Sequence, residues 1–181
     1  MGGFSFGCYN RNNELRITMA LEAAIEHLKE FNLESRIQVF EVSSATVELA
    51  ALALGVEPER IAKTLAFRDE EGALLIVTAG DAKIDNAKFK SQFGMKARML
   101  NPEETLDRVG HGVGGVCPFG VKADCKVYLD QSMRRFETVF PAVGSSNSAI
   151  ELDLEELEEV SKSSGWIDVC KINTVQEETH E

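Results

Sequence analysis

The sequence has no Cys-x-x-Cys pair, no G-x-S-x-G elbow, no H-E-x-x-H pair and no Walker loop. Structural zinc, serine-hydrolase, zincin and P-loop chemistries therefore find no support in its letters. Its four cysteines (Cys8, Cys117, Cys125, Cys170) are scattered, and a chain of 181 residues does not need disulfide staples, so reduced thiols are expected. Apolar runs such as Ala73 to Val77 fall far short of the ~20 residues that a membrane span requires. The opening residues, MGGFSFG, offer neither the basic head nor the apolar middle of a secretory signal, which leads to the expectation of a cytoplasmic protein with no membrane partner. Positive charge is also scarce. With 19 Lys and Arg against 30 Asp and Glu the net charge is −11, which opposes holding nucleic acid by a whole-surface field.

A hydrophobic content of 44% and a charged content of 27% suit a globular chain, and the length predicts one domain over residues 1–181 with one sizeable core. Charge is unevenly spread along it. Lys83, Lys88, Lys90, Lys96 and Arg98 face only Asp85 within residues 83–98, whereas residues 151–181 carry ten acids against Lys162 and Lys171. A small phosphate-tracking patch and an ordinary solvated face both fit the basic stretch.

Periodicity gives the elements. Ile17, Leu21, Ala24, Ile25, Leu28 and Phe31 form one stripe of a helix from about Glu14 to Phe31. Arg36 to Val42 reads as a strand, and Ser43-Ser44 as the cap of a helix through Thr46 to Leu54 that stops at Gly55. Lys63 to Arg68 and Ala73 to Ala79 flank Asp69-Glu70-Glu71-Gly72, a hairpin signal. Helices are expected over Asn86 to Phe93, closed by Gly94, and from Asn101-Pro102 to about Val109. Strands are expected at Ala97 to Leu100, Val127 to Asp130, Thr138 to Val143 and Ser148 to Leu152. Asp153 and Glu156 open a last helix ended by Gly165. Short helices among short strands predict a mixed α/β (α+β) fold, with a mainly antiparallel or mixed sheet.

Gly110 to Gly120 holds five glycines and a proline and cannot be regular structure. Gly110-His111-Gly112-Val113-Gly114-Gly115 has the letters of a dinucleotide fingerprint, but it follows a helix, and Pro118 blocks helix entry. The stretch fits a tight turn or a binding loop whose bare N–H groups receive an anion. Lys63, beside apolar Leu65 and Phe67, is either solvated at a strand end or aimed into a cleft. Asp81 and Asp85 read first as turn and cap chemistry. His111, in the loop, is more interesting than His27 on a helix or His180 in the tail, yet a histidine without a carboxylate neighbour reads as a polar contact rather than a base.

Ala62-Lys63-Thr64-Leu65, then Ile76-Val77-Thr78-Ala79-Gly80-Asp81 with Asp85 and Lys88, then Gly110 to Gly120 together resemble the YbaK/EbsC family of free-standing aminoacyl-tRNA deacylases, related to the editing insertion domain of bacterial prolyl-tRNA synthetase. The likeness covers about residues 36–161 and leaves residues 1–33 as a helical extension. It implies a partly closed mixed sheet with surrounding helices, and hydrolysis of the ester of mischarged tRNA, with alanyl- or cysteinyl-tRNA(Pro) as substrate. The alternative is a non-catalytic tRNA- or nucleotide-binding module. By resemblance Lys63 is the catalytic side chain, and Thr46, Asp81, His111, Gly114, Gly115, Val116, Cys117 and Pro118 bind substrate. The partners implied are the 3′ aminoacyl-adenosine end of tRNA and a synthetase, with no cofactor and no metal. Cys117 is expected to be a small buried filler rather than a nucleophile. Ala149 departs from the acidic residue of some cysteine-removing members, which weighs against a cysteinyl substrate.

Overall fold

The computed structural model of the chain describes residues 6–172, with side chains from Arg11 onward apart from Asn13, so the side chain of Cys8 and the whole of His180 lie outside the described residues. Helix α1 (Phe6–Lys29) starts well before the apolar stripe; among its described side chains those from Arg11 to Met19 are exposed, and Ala20 is the first that is buried. The strand expected over 36–42 shrinks to β1 (Gln38–Val39), the only part of it that finds a strand partner; Glu34–Arg36 is a 3-10 turn. Helix α2 (Val47–Leu54) is capped by the Thr46 side chain, which accepts the Leu49 N–H, and ends at Gly55 with φ +68°. The cap expected at Ser43-Ser44 has moved to Thr46, since Ser44 is held by the Ser146 carbonyl through both its N–H and its hydroxyl.

Strands β2 (Ile61–Arg68) and β3 (Ala73–Ala79) form the expected antiparallel hairpin, in register from Ala62 opposite Ala79 to Arg68 opposite Ala73. Next come β4 (Ala82–Ile84), α3 (Asn86–Phe93) capped by Asp85 and closed by Gly94, and α4 (Pro102–Arg108). The start of α4 is a reciprocal capping box of Asn101 and Glu104. Residues 97–100 are not a full strand; Met99 makes one bridge to Phe67. The remaining elements are β5 (Cys125–Asp130), a 3-10 turn over Gln131–Arg135, β6 (Thr138–Pro141), β7 (Ser148–Ala149), β8 (Leu152–Asp153), α5 (Leu154–Val160), β9 (Trp166–Ile167) and β10 (Cys170–Ile172). The expected strand over 148–152 is thus split in two, and α5 is closed at Ser161 rather than at Gly165.

The main sheet runs β8-β6-β2-β3-β5-β9, with small pairs β1-β7 and β4-β10 beside it. It is mixed, as the sequence predicts, but more parallel than expected: β2-β6, β3-β5 and β5-β9 are all parallel. The crossover from β3 to β5 passes through β4, α3, α4 and the glycine loop, which gives it ample length. The result is a mixed α/β fold with a curled, half-closed sheet. Strand β3 is buried along its whole length. An aromatic chain covers the sheet, from Phe67 to Phe89 (ring centroids 5.0 Å apart), to Phe93 (4.8 Å) and to Tyr128 (5.4 Å).

Helix α1 is pressed onto the body by Ala20, Ala24 and Leu28, each at most 3% exposed. Its approach is set by two glycines in the left-handed region. A Cβ on Gly120 would lie 2.5 Å from the Ala23 carbonyl group, and one on Gly144 would lie 2.5 Å from the Ala20 carbonyl oxygen. Neither position has room for a side chain.

Candidate functional site

A cavity of about 260 Å³ opens beside β2. One wall is β2 itself, from Ile61 to Ala66; another is the approach to α2, from Ser44 to Val47; the third is the glycine loop at Val113, Gly114 and Val116. Met99, Pro102 and Thr105 close one end, and Ala142, Ser148 and Ala149 the other. The cavity exists because the outer edge of β2 is only partly paired. Strand β6 reaches no further than Ala62, and the 97–100 segment rejoins β2 at Ala66 through the Leu100 N–H and at Arg68 through the Arg98 carbonyl.

Lys63 is half-buried on this wall, and its Nζ donates to the Gly80 carbonyl at 3.2 Å. Burial pulls its pKa below the ordinary lysine value, while the neighbouring Cys170 and Asp81 oppose that shift. Asp81 does not line the cavity. Its carboxylate is held by both terminal nitrogens of Arg135, at 3.0 and 2.5 Å, so its contribution is to the field around Lys63. Thr46 lines the cavity, but its hydroxyl caps α2.

The glycine loop divides into a front and a rear. Gly114 (φ +85°) faces the cavity, where a Cβ would meet that of Ala45 at 2.9 Å, so two small residues seat the loop against the approach to α2. Gly115 lies behind, against the backbone of Gly144 and Ser145, with no room for a Cβ. His111, Cys117 and Pro118 are buried and do not line the cavity. The Nδ1 of His111 accepts the Cys117 N–H at 3.2 Å, which makes the ring a brace of the loop. Burial pushes this imidazole down to about 4 against the opposing pull of the Cys117 and Gly120 backbone, so it is neutral at physiological pH. Burial pushes the Cys117 thiol up to about 12, and its Sγ donates to the Phe119 carbonyl. That is an inert thiol.

The peptide groups of the loop are correspondingly unequal. Gly115 N–H donates to the Gly112 carbonyl and Cys117 N–H to His111, whereas Gly114 and Val116 N–H have no partner among the described residues. The bare donors available to a ligand are therefore at 114 and 116. Sequence reasoning gave no role to Ala45, Met99 and Ala142 on the other walls; it named Ala149 only as a departure from some cysteine-removing members, and Thr64, whose Oγ1 is buried and unpartnered, only as a letter of the K-T-L motif. The basic residues Lys83, Lys90, Lys96 and Arg98 are exposed and line no part of the cavity, and Lys88 is tied to Asp168 and the Cys170 carbonyl.

Comparison with known proteins gives a consistent result. The sequence profile of the aminoacyl-tRNA editing domain matches residues 41–160. The uncharacterized protein YwhH of Bacillus subtilis is 57% identical over 154 residues, spanning 84% of this chain and 98% of that protein. Proline--tRNA ligase of Thermotoga maritima is 37% identical over 90 residues, which are 49% of this chain but only 15% of the ligase. Among solved structures, a candidate trans-editing enzyme for prolyl tRNA synthetase superimposes with a TM-score of 0.75 at 25% identity, covering 84% of this chain and 97% of its own. On the profile match and the YwhH alignment together, the chain belongs to the aminoacyl-tRNA editing domain family.

Proposed function

We propose that the protein is a free-standing deacylase that removes a wrongly attached amino acid from tRNA, with alanyl-tRNA(Pro) as its preferred substrate and cysteinyl-tRNA(Pro) next. The observation that carries this reading is the meeting of Lys63 with the unpartnered Gly114 and Val116 N–H groups on the walls of one small cavity. In the reaction water supplies a hydroxyl to the acyl carbon, the ester C–O bond breaks, and the ribose oxygen leaves with the proton. Negative charge gathers on the carbonyl oxygen as water adds. Preorganised N–H donors from Gly114 and Val116 stabilise it there. Lys63 supplies the cation that neutralises the terminal phosphate or fixes the ribose, held in place by the Gly80 carbonyl. Proximity does much of the rest, because an aminoacyl ester is already activated.

The limit on side-chain size is set by the modest volume of the cavity, about 260 Å³, and by bulky lining residues such as Ile61, Met99, Leu100 and Phe140, whereas near-isosteres differing by one methylene are separated by only about 1–3 kcal/mol. The apolar residue at 149 leaves no carboxylate there to hold a thiol or an amine, which places alanine ahead of cysteine. The test is release of amino acid from alanyl- and cysteinyl-tRNA(Pro). Lys63→Ala is expected to lower the rate by about 10²-fold. Full activity in that variant would overturn the role given to Lys63, and tRNA binding with no release from any mischarged tRNA would favour a non-catalytic binding module.

A further inference from the structure

The bonds of the Arg68 N–H and the Ala66 carbonyl to the 98–100 segment place the N–H and C=O of Ala62, Thr64, Ala66 and Arg68 on the outer edge of β2, so that those of Lys63, Leu65 and Phe67 point toward β3. On that outer edge the groups of Ala62 are taken up by β6, the Ala66 carbonyl accepts the Leu100 N–H, and the Arg68 N–H donates to Arg98. Between these two contacts Thr64 N–H, Thr64 C=O and Ala66 N–H have no partner among the described residues. They sit where β2 lines the cavity, and the hydroxyl of Thr64 is buried without a partner beside them. A run of unsatisfied peptide groups in a partly buried wall is rare in a folded protein, and here it has a donor–acceptor–donor order.

That order has a simple complement. In an antiparallel ladder, one residue with its N–H and C=O on the same side pairs with one partner residue that offers a C=O and an N–H in return. An aminoacyl ester carries both groups on a single residue, as an α-ammonium and an acyl carbonyl. We infer that the aminoacyl group docks as a one-residue strand on Thr64: the Thr64 carbonyl accepts from the α-ammonium, and the Thr64 N–H donates to the acyl carbonyl oxygen. This rests on the editing reading above and deepens it. The Thr64 N–H becomes a donor to the developing oxyanion from the β2 side, complementary to the loop donors at 114 and 116, and the free α-amino group becomes a condition of recognition. The backbone does the reading, so the substrate class is esters of unblocked α-amino acids, selected independently of the side-chain pocket.

The test compares alanyl-tRNA(Pro) with propionyl-tRNA(Pro), identical but for the α-ammonium, each rate divided by that of its uncatalysed hydrolysis. Loss of a hydrogen bond to a charged group predicts that the enhancement falls by about 10- to 100-fold for the propionyl ester. A second measurement uses the non-hydrolysable 3′-(L-alanylamino)-3′-deoxyadenosine and its propionyl counterpart in amide NMR. The alanyl compound is expected to shift the Thr64 amide and slow its hydrogen exchange, and the propionyl compound to do so far less. Equal enhancement for the two esters, or shifts at Gly114 and Val116 with none at Thr64, would overturn the inference while leaving the editing reading in place. Failure to cleave either ester would remove that reading and this inference with it.

Discussion

Strands β2 and β3 lie side by side in one sheet and share a continuous ladder, yet they have opposite fates on their outer edges. The outer edge of β3 is paired with β5 from Ala73 to Val77, and every residue of the strand is buried. The outer edge of β2 is paired at both ends and open in the middle, and there the strand carries a half-buried lysine and an unpartnered threonine hydroxyl. The closed strand supplies the rigidity, and the open one presents chemistry where its ladder stops. A site built on a strand interrupted this way is positioned more precisely than one carried by loops alone.

The contrast can be broken most severely on β3. Leu75 is 0% exposed, and Leu75→Ala should remove about 2–5 kcal/mol of stability, seen as an early transition in denaturant unfolding. On β2, Lys63→Ala should leave that transition close to wild type; a loss as large as that of Leu75→Ala would show that the open edge is a stability element as well. A middle-sized effect is expected from the brace behind the loop. The folded pKa of His111, about 4, lies below the unfolded value of 6.5, so between these values the unfolded chain binds the extra proton. Its contribution to stability is present above pH 6.5 and is lost progressively as pH falls toward 4, amounting to about 3 kcal/mol in all. Unfolding free energies measured from pH 4.5 to 7.5 should show this slope in the wild type and lack it in His111→Gln. The smallest effect is on β2: Thr64→Val replaces a buried, unpartnered hydroxyl with a methyl group and should leave the melting temperature unchanged or slightly raised. A clear destabilisation would mean that the hydroxyl is satisfied within the protein.

Local chemistry wrote much of this architecture into the sequence. The hairpin about Asp69–Gly72, the stops at Gly55 and Gly94, and the paired caps at Asn101 with Glu104 and Asp153 with Glu156 all depend on residues a few positions apart. Elements that exist only through distant partners were not visible. Strands β4 and β10 are three residues each and stabilise one another across the chain, and Ser148 to Leu152 divides because β7 pairs with β1 while β8 pairs with β6. The parallel ladders escaped for the same reason. At the site, Lys63 and the glycine loop stood out as letters. The unequal roles of neighbours within that loop, His111 as a brace and Gly114 as a lining residue, depend on burial and hydrogen bonding that spacing does not encode.

One consequence concerns the helix that precedes the shared 41–160 segment. Gly115 rests on the Gly144 backbone, and Gly144 rests on the carbonyl of Ala20, so three layers of bare main chain connect the cavity wall to α1 with no side chain between them to absorb a displacement. A chain severed at residue 33 would leave ledges at 120 and 144 facing water, and the Gly114–Val116 wall would lose its buttress. The contacts that fix the Gly114–Val116 wall therefore extend beyond residues 41–160, the segment that the editing-domain profile matches.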